Sequence, residues 1–220
     1  MKRNQSSLDL KKERFKHAAT IIVMLLSYAP FLLLADLPAN NTSSIIGYLA
    51  RQTGYLAAVF LLWQFILGTR ALTKFWITDQ VWALDTHKKI GIYGIVLVLA
   101  HPFLIAYDYG RNLDFIFVPD LSTEFGKHVA LGRTAFFLFL FVWITSAVLR
   151  SNIGYRPWKY IHYLSYIIMV SVLLHAPQTG TFYAGDSLIQ AAWTGMAIVF
   201  GSIVLIRIGS LFTFGQRPYK

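Results

Sequence analysis

Long apolar runs without a charged residue alternate with short charged segments along the whole chain. Residues 18–35, 52–69, 90–107, 134–149, 160–185 and 187–206 contain no Asp, Glu, Lys or Arg. A helix needs about 20 apolar residues, within a range of about 17–25, to cross a hydrocarbon core about 30 Å thick. Four of the runs reach that length alone. Run 134–149 needs flanking residues from Val129 onward, and run 160–185 holds one span plus a loop after Pro177. A soluble chain of 220 residues could not bury six such runs on every side. The pattern therefore predicts six transmembrane helices, because backbone N–H and C=O groups in lipid must pair within the span. The first run follows a 17-residue charged tail and ends in Ala35-Asp36-Leu37-Pro38, so it is expected to be a span and not a cleaved signal peptide.

Composition narrows the class. The chain is 56% hydrophobic and 14% charged, with formal net charge +10 and no cysteine. A soluble domain carries about 25% charged residues. The absence of cysteine excludes disulfides, Fe–S clusters, thiolate zinc sites and covalent haem attachment within this sequence. Excess positive charge fits nucleic acid or an anionic membrane, and its distribution selects the membrane. Sixteen of the 20 basic residues fall in the N-terminal tail, the 2–3 loop, the 4–5 loop and the C-terminal end. The opposite side has only Arg51, Arg111, Lys127 and Arg133, with six of the ten acids, Asp36 and Asp186 among them. By the positive-inside rule both termini and the basic loops are cytoplasmic. No nucleic-acid partner is expected. No internal repeat is evident, and the external loop from Asp108 to Lys127 is the longest.

The chemistry concentrates in histidine. His87 and His101 fall in the third span, and His162 and His175 in the fifth. Ionisable residues inside a membrane are costly and by default functional, although a lone histidine there equally well makes an interhelical hydrogen bond. Two matched pairs are harder to explain that way. The pairs are 14 and 13 residues apart, roughly 20 Å along a helix axis at 1.5 Å per residue. Both spans run outward, so His87 lies level with His162 near the cytoplasm, and His101 level with His175 near the outside. One histidine from each span can then grip one iron from opposite faces, giving two stacked bis-histidine b-type haems. Two axial imidazoles leave no open iron position, which suits electron transfer. A zinc or copper ion fits less well, since each level offers only two nitrogens. A step of 14 residues returns to within about 40° of the same helix face, whereas 13 residues miss it by about 140°. The fifth span must therefore be distorted, or His175 must lie past its regular part, near Pro177. Pro102 predicts a bend in the third span.

The sequence resembles the ferric reductase-like transmembrane domain shared by NADPH oxidases, ferric-chelate reductases and bacterial relatives. The resemblance rests on the 14/13 histidine pairs, on Thr86-His87-Lys88-Lys89-Ile90-Gly91, Ala100-His101-Pro102 and Trp158-Lys159-Tyr160-Ile161-His162-Tyr163, and covers residues 18–212. It implies a fold class of all-α membrane protein, a six-helix bundle binding two stacked haem b groups. It divides the chain into a basic tail (1–17), the haem-binding transmembrane domain (18–212) and a cytoplasmic end (213–220). That end, Gln216-Arg217-Pro218-Tyr219-Lys220, looks like the junction to a reductase domain. His87 and His162 would hold the inner haem, His101 and His175 the outer. Electrons would pass from a cytoplasmic flavin reductase, domain or protein, to a small extracytoplasmic acceptor such as ferric iron or oxygen. FAD and NAD(P)H are expected only on that reductase, as no G-x-G-x-x-G occurs here. Two departures from the oxidases stand out: Ile105 replaces the outer histidine and Ile168 the inter-haem aromatic, while Arg51 matches the oxygen site's other polar member. An alternative function is a haem membrane subunit serving a separate periplasmic enzyme, similar to the membrane partner of methionine-sulfoxide reductase. A transporter or scaffold with structural histidines is the non-redox alternative; no repeat symmetry supports it. The expected location is a bacterial inner membrane.

Haem propionates need cations. Inside, Lys88, Lys89, Arg156 and Lys159 are candidates, each also explicable as a topology charge. Outside, the candidates are Arg51, Arg133, Lys127 and His128. Arg51 and Arg133 run against the positive-inside bias, which favours a specific role, and Arg51, Arg133 and Lys159 are the cations assigned to the cofactors. Trp158 is expected as an interfacial anchor, His17 as a juxtamembrane bystander and His128 as a loop residue. Gly91 and Gly94 either make room for a flat ring or let helices pack closely.

Overall fold

The computed structural model describes residues 7–33, 42–110, 113–179 and 187–214. Asp36, Arg111, Asp186, the tail residues Lys2 and Arg3, and the segment Gln216–Lys220 lie outside the described residues. All regular structure among the described residues is helical. Six stretches are long and apolar enough to cross a membrane: Leu10–Leu33, Ile45–Gly68, Gln80–Asp108, Glu124–Val148, Tyr155–Thr179 and Leu188–Ser210. The protein is an all-helical integral membrane protein.

The elements are α1 (Ser7–Leu26), α2 (Ala29–Leu33), α3 (Thr42–Gly68), α4 (Arg70–Thr73), α5 (Gln80–Asp108), α6 (Asp114–Phe117), α7 (Glu124–Trp143) with a π-helical turn at Ile144–Val148, α8 (Tyr155–His162), α9 (Leu164–Thr179) and α10 (Ser187–Phe214). Caps fix two key starts. Asp79 accepts hydrogen bonds from the Val81 and Trp82 amides at 3.1 and 3.0 Å, starting α5. Thr123 accepts from the Gly126 amide at 2.9 Å, starting α7. Each satisfies donors that the first helical turn leaves open.

The bundle is two helical hairpins with two further spans against the first. Helix α3 packs along α5, and α7 packs along α9, while the two hairpins meet at few places. Helix α10 shows how the outer spans attach. Ile189, Trp193, Met196, Phe200 and Ile203 recur at steps of four, three, four and three, and all five are buried. That is one face of a helix, and it lies on a core containing Phe31, Tyr55, Val59, Leu62 and Met169. Edge-on aromatic pairs run through this core: Phe31–Trp193 at 5.5 Å, Phe65–Phe200 at 5.0 Å and Phe65–Tyr166 at 5.0 Å between ring centres. The opposite faces carry exposed Ile198, Leu205, Ile21, Ile22 and Leu25, as expected where lipid replaces water.

The fifth span is where the sequence posed its geometric problem. It is distorted, the first of the two expected solutions, and the distortion lies beside His162, not at Pro177. Helix α8 ends at His162, Tyr163 forms a turn, and α9 restarts at Leu164. The Tyr163 amide is shared between the Lys159 and Tyr160 carbonyls at 3.1 and 3.2 Å, the tightening expected at a helix end. Helix α9 continues through Pro177 to Thr179, so His175 stands within a regular helix. Helix α5 likewise runs unbroken through Pro102.

Two polar ties hold the first span to the second, one of them from the Trp63 indole to the Ser27 hydroxyl at 3.0 Å and the other centred on Gln52. Gln52, 7% exposed, accepts from the Tyr28 hydroxyl and donates to the Phe31 carbonyl at 3.2 Å. Gln52→Leu strands both partners, and an unsatisfied buried polar group costs about 1–3 kcal/mol. The variant is expected to melt earlier in detergent than the parent, and Tyr28→Phe, which strands only part of the amide, to lose less.

Candidate functional site

The site is built from the way each histidine ring is held. His101 Nδ1 lies 2.8 Å from the Ala50 carbonyl, His87 Nδ1 2.9 Å from the Gln64 carbonyl and His175 Nδ1 2.9 Å from the His128 carbonyl. A carbonyl oxygen only accepts, so the proton of these three neutral rings sits on Nδ1. Nε2 then keeps its lone pair, which is the form that binds a metal. Each contact joins the two helices of one hairpin: α3 holds both α5 histidines, and α7 holds His175 of α9.

Glycine makes the approach possible. Each of the three carbonyl residues is followed four positions later by a glycine: Gly54, Gly68 and Gly132. That glycine lies one helical turn on, beside the carbonyl. A Cβ at Gly54 would sit 2.7 Å from the His101 ring, at Gly132 2.7 Å from the His175 ring, and at Gly68 3.2 Å from the His87 ring. Sequence reasoning missed these positions. The available signal was that Gly54 and Gly68 are 14 residues apart, as are His87 and His101 on the antiparallel partner. Gln64 grips His87 twice, since its side-chain amide also donates to the His87 carbonyl at 2.8 Å.

The fourth histidine is held differently. His162 Nδ1 is 3.4 Å from the Ser146 hydroxyl, in the π-helical turn. Trp158 stacks on its ring at 5.0 Å between centres and 23° between planes. Trp158 therefore belongs to the site and is more than an interfacial anchor.

The rings meet in pairs. His87 and His162, from different hairpins, have centres 6.1 Å apart. Two imidazole nitrogens, each about 2.0–2.1 Å from a shared ion as in zinc sites, give a similar separation. His101 and His175 line one cavity of about 380 Å³ between the hairpins, within the about 300–1,000 Å³ range of ligand pockets. Its wall is mostly apolar, with Leu61, Val98, Phe136, Phe139 and Val172. Ile105 and Ile168, the two departures from the oxidase pattern, also face it. Gly91 and Gly94 line it as well, and a Cβ at Gly94 would meet nothing within 4 Å, so this glycine opens space and does not serve close helix packing.

The predicted cations divide. Arg51 and Arg133 line the cavity; Arg51 directly follows Ala50, whose carbonyl holds His101, and Arg133 directly follows Gly132, the glycine against the His175 ring. Arg133 donates through Nε at 2.9 Å, and through Nη2, to the Phe115 carbonyl, and lies 5.3 Å over the Phe115 ring. This ties α6 down as a cap, with Phe115 and Ile116 on the cavity wall. Lys127 instead pairs with Glu124 at the surface. Lys89 pairs with Asp85, and Lys88 and Arg156 are exposed. Lys159 is half-buried with its ammonium 5.7 Å over the Tyr163 ring. His128 is not a loop residue: it sits at the start of the second turn of α7, and its carbonyl holds His175. His17 does not line the cavity, and its ring stacks on Trp82 at 4.1 Å between centres.

These residues fit haem. No group of three or more His, Cys, Asp or Glu is assembled among the described residues, so a protein-caged ion has too few ligands. Paired imidazoles with pre-set Nε2 lone pairs, an apolar cavity opened by glycine and two cations at its rim suit a flat iron macrocycle with anionic edges.

Comparison with known proteins points the same way. The family of ferric reductase-like transmembrane components matches residues 53–173. The protein-methionine-sulfoxide reductase heme-binding subunit MsrQ of Ralstonia nicotianae is 30% identical over 163 residues, which is 72% of this chain and 71% of that protein. No solved structure matches.

The glycine contacts give a graded expectation. Gly54→Ala and Gly132→Ala push a held imidazole off its carbonyl, and overpacking of this kind costs about 1–3 kcal/mol. Both should lower the melting temperature in detergent, Gly68→Ala less so. Gly201→Ala, whose Cβ meets nothing within 4 Å, should not.

Proposed function

The chain belongs to the ferric reductase-like transmembrane family, and from that premise we propose that it carries electrons across the bilayer by way of two bis-histidine b haems. The observation that carries this reading is the way the rings are held: three carbonyls and one hydroxyl lie at the Nδ1 atoms of the four histidines, which leaves the Nε2 atoms for a metal. His87 and His162 hold the inner haem, His101 and His175 the outer. When bound, each haem would supply a one-electron iron couple. The protein's own work is to hold, insulate and neutralise. The backbone carbonyls fix the imidazole tautomers, the apolar wall keeps water from the outer site, and Arg51 and Arg133 face the propionates there. Lys159 does so at the inner edge. Both termini are cytoplasmic in a bacterial inner membrane. A cytoplasmic flavin and nicotinamide reductase is the donor, and a small extracytoplasmic acceptor, ferric iron or oxygen, receives the electrons.

A second reading is supported by the likeness to the methionine-sulfoxide reductase subunit: the acceptor is a separate periplasmic oxidoreductase. Reoxidation separates the two. Dithionite-reduced protein reoxidised rapidly by a ferric chelate or oxygen supports the first reading. Slow reoxidation by both, with fast reoxidation by a periplasmic reductase, supports the second.

The haem assignment is tested by a pyridine haemochrome count on the purified full chain. Two haems per polypeptide are expected, falling to one in His101→Ala or His175→Ala. One haem in the parent would break the two-pair assignment, and none would remove the reading altogether.

Orientation is open to direct test because the sequence has no cysteine. A single cysteine at Lys88 or Arg156 should react with an impermeant maleimide only in inside-out vesicles. One at Leu121, in the α6–α7 connection, should react in intact spheroplasts.

A further inference from the structure

We infer that Ser146 and Trp158 are positioning residues that make His162 the least electron-donating of the four ligands, so that the inner haem is tuned separately from the outer. The inference rests on the two-haem reading above and adds to it an asymmetry among the ligands. It starts from the exception in the geometry. Three rings donate Nδ1–H to a backbone carbonyl at 2.8–2.9 Å. The fourth has only a hydroxyl, at 3.4 Å.

The cause lies in the end of α7. After Trp143 the helix widens into a π-helical turn, in which the Leu149 amide bonds the Ile144 carbonyl five residues back at 2.9 Å. The turn presents the Ser146 side chain toward His162 in place of a carbonyl, and no glycine stands four residues after Ser146, where Arg150 sits. π-bulges of this kind gather at functional sites.

The hydroxyl is also shared. Trp158 Nε1, which can only donate, gives its hydrogen to Ser146 Oγ at 3.1 Å. The shorter of the two contacts is thus with the indole and not the ligand. The indole in turn lies against the His162 ring, and the Arg150 guanidinium is 4.4 Å over the indole.

The consequences have one sign. A strong acceptor at Nδ1–H raises the basicity of a metal-bound imidazole and so favours the oxidised metal. A distant, shared hydroxyl does this weakly. A nearby cation also disfavours the more positive oxidised state. Both effects raise the reduction potential of the inner site above what a carbonyl holder would give.

The test is a spectroelectrochemical titration of the full chain, purified with its haems, resolved into two one-electron components. Trp158→Phe keeps the aromatic face but frees Ser146 to serve His162 alone. One component should move down and the other stay, by roughly a tenfold change in its reduction equilibrium, about 59 mV for one electron. In a Ser146→Ala background the same change should have no effect, because the hydroxyl that relays it is gone. Ser146→Ala by itself should move that component up, and Ser146→Thr, which keeps the hydroxyl, should leave it in place. If Trp158→Phe does not fold, the Ala and Thr pair decides the matter. Equal movement of both components, no movement of either, or the same Phe effect with and without Ser146 would overturn the inference while leaving the two-haem reading intact. A parent protein without haem would overturn both.

Discussion

The hydrogen bond from a histidine Nδ1 to a backbone carbonyl of the adjacent helix is the contact on which the site depends. It is a modest interaction, about 1 kcal/mol net in a typical protein setting. Its importance is directional. An imidazole fixed at one nitrogen presents the other along a defined line, and three of four rings are fixed this way. Because the holder is in the same hairpin as the histidine, each hairpin carries its ligands as a finished half-site. The two halves then face each other across a gap that they do not themselves close, which is why the hairpins touch at few places while each is tightly paired internally.

Lipid explains the rest of the architecture. Helix association in a bilayer gains little from apolar burial and relies on close packing and polar contacts. The first and sixth spans accordingly attach through interlocked aromatics within the apolar core, and the first also through the Tyr28–Gln52–Phe31 tie. The third span buries least of the six within the protein, and its Gly91, Gly94, Val98 and His101 line the cavity between the hairpins. Charge is placed by the same logic. Cations gather at one end as a topological bias, and the exceptions Arg51 and Arg133 line the cavity, Arg51 next to Ala50, which holds His101, and Arg133 next to the glycine against His175.

Much of this was legible in the sequence, and the limits were physical. Six charge-free runs gave the six spans, since length and apolarity are the whole requirement for crossing a bilayer. The four histidines and the rim arginines stood out because charge and ionisable groups are rare at those depths. The 14- and 13-residue steps required either a distorted fifth span or a His175 past its regular part. Pro177, a visible helix breaker, pointed to the second, while the break at Tyr163 that the structure shows leaves no mark in residue type. The holders were invisible for a deeper reason. A carbonyl is common to every residue, so Ala50, Gln64 and His128 share no side-chain property that would announce their role. His128 was weighed as a propionate partner for its ring, yet it is its main-chain carbonyl that holds His175.

That same generality bears on how lightly the site constrains its own sequence. Any residue type supplies the acceptor, as the three different residues here show. What the geometry demands is a regular helix and a glycine one turn on, where a Cβ would strike the ring. A half-site of this kind tolerates wide change around it, provided the glycine and the histidine keep their register. The fourth holder is the opposite case. It uses a side-chain hydroxyl, an indole donor and a widened helical turn, each tied to a particular residue. Sequence change therefore acts unevenly on the four rings. At His87, His101 and His175 it is confined by glycine and packing, which either admit the ring or do not. At His162 the Ser146–Trp158 pair can be adjusted by degrees, so graded variation in how a ring is held is available there.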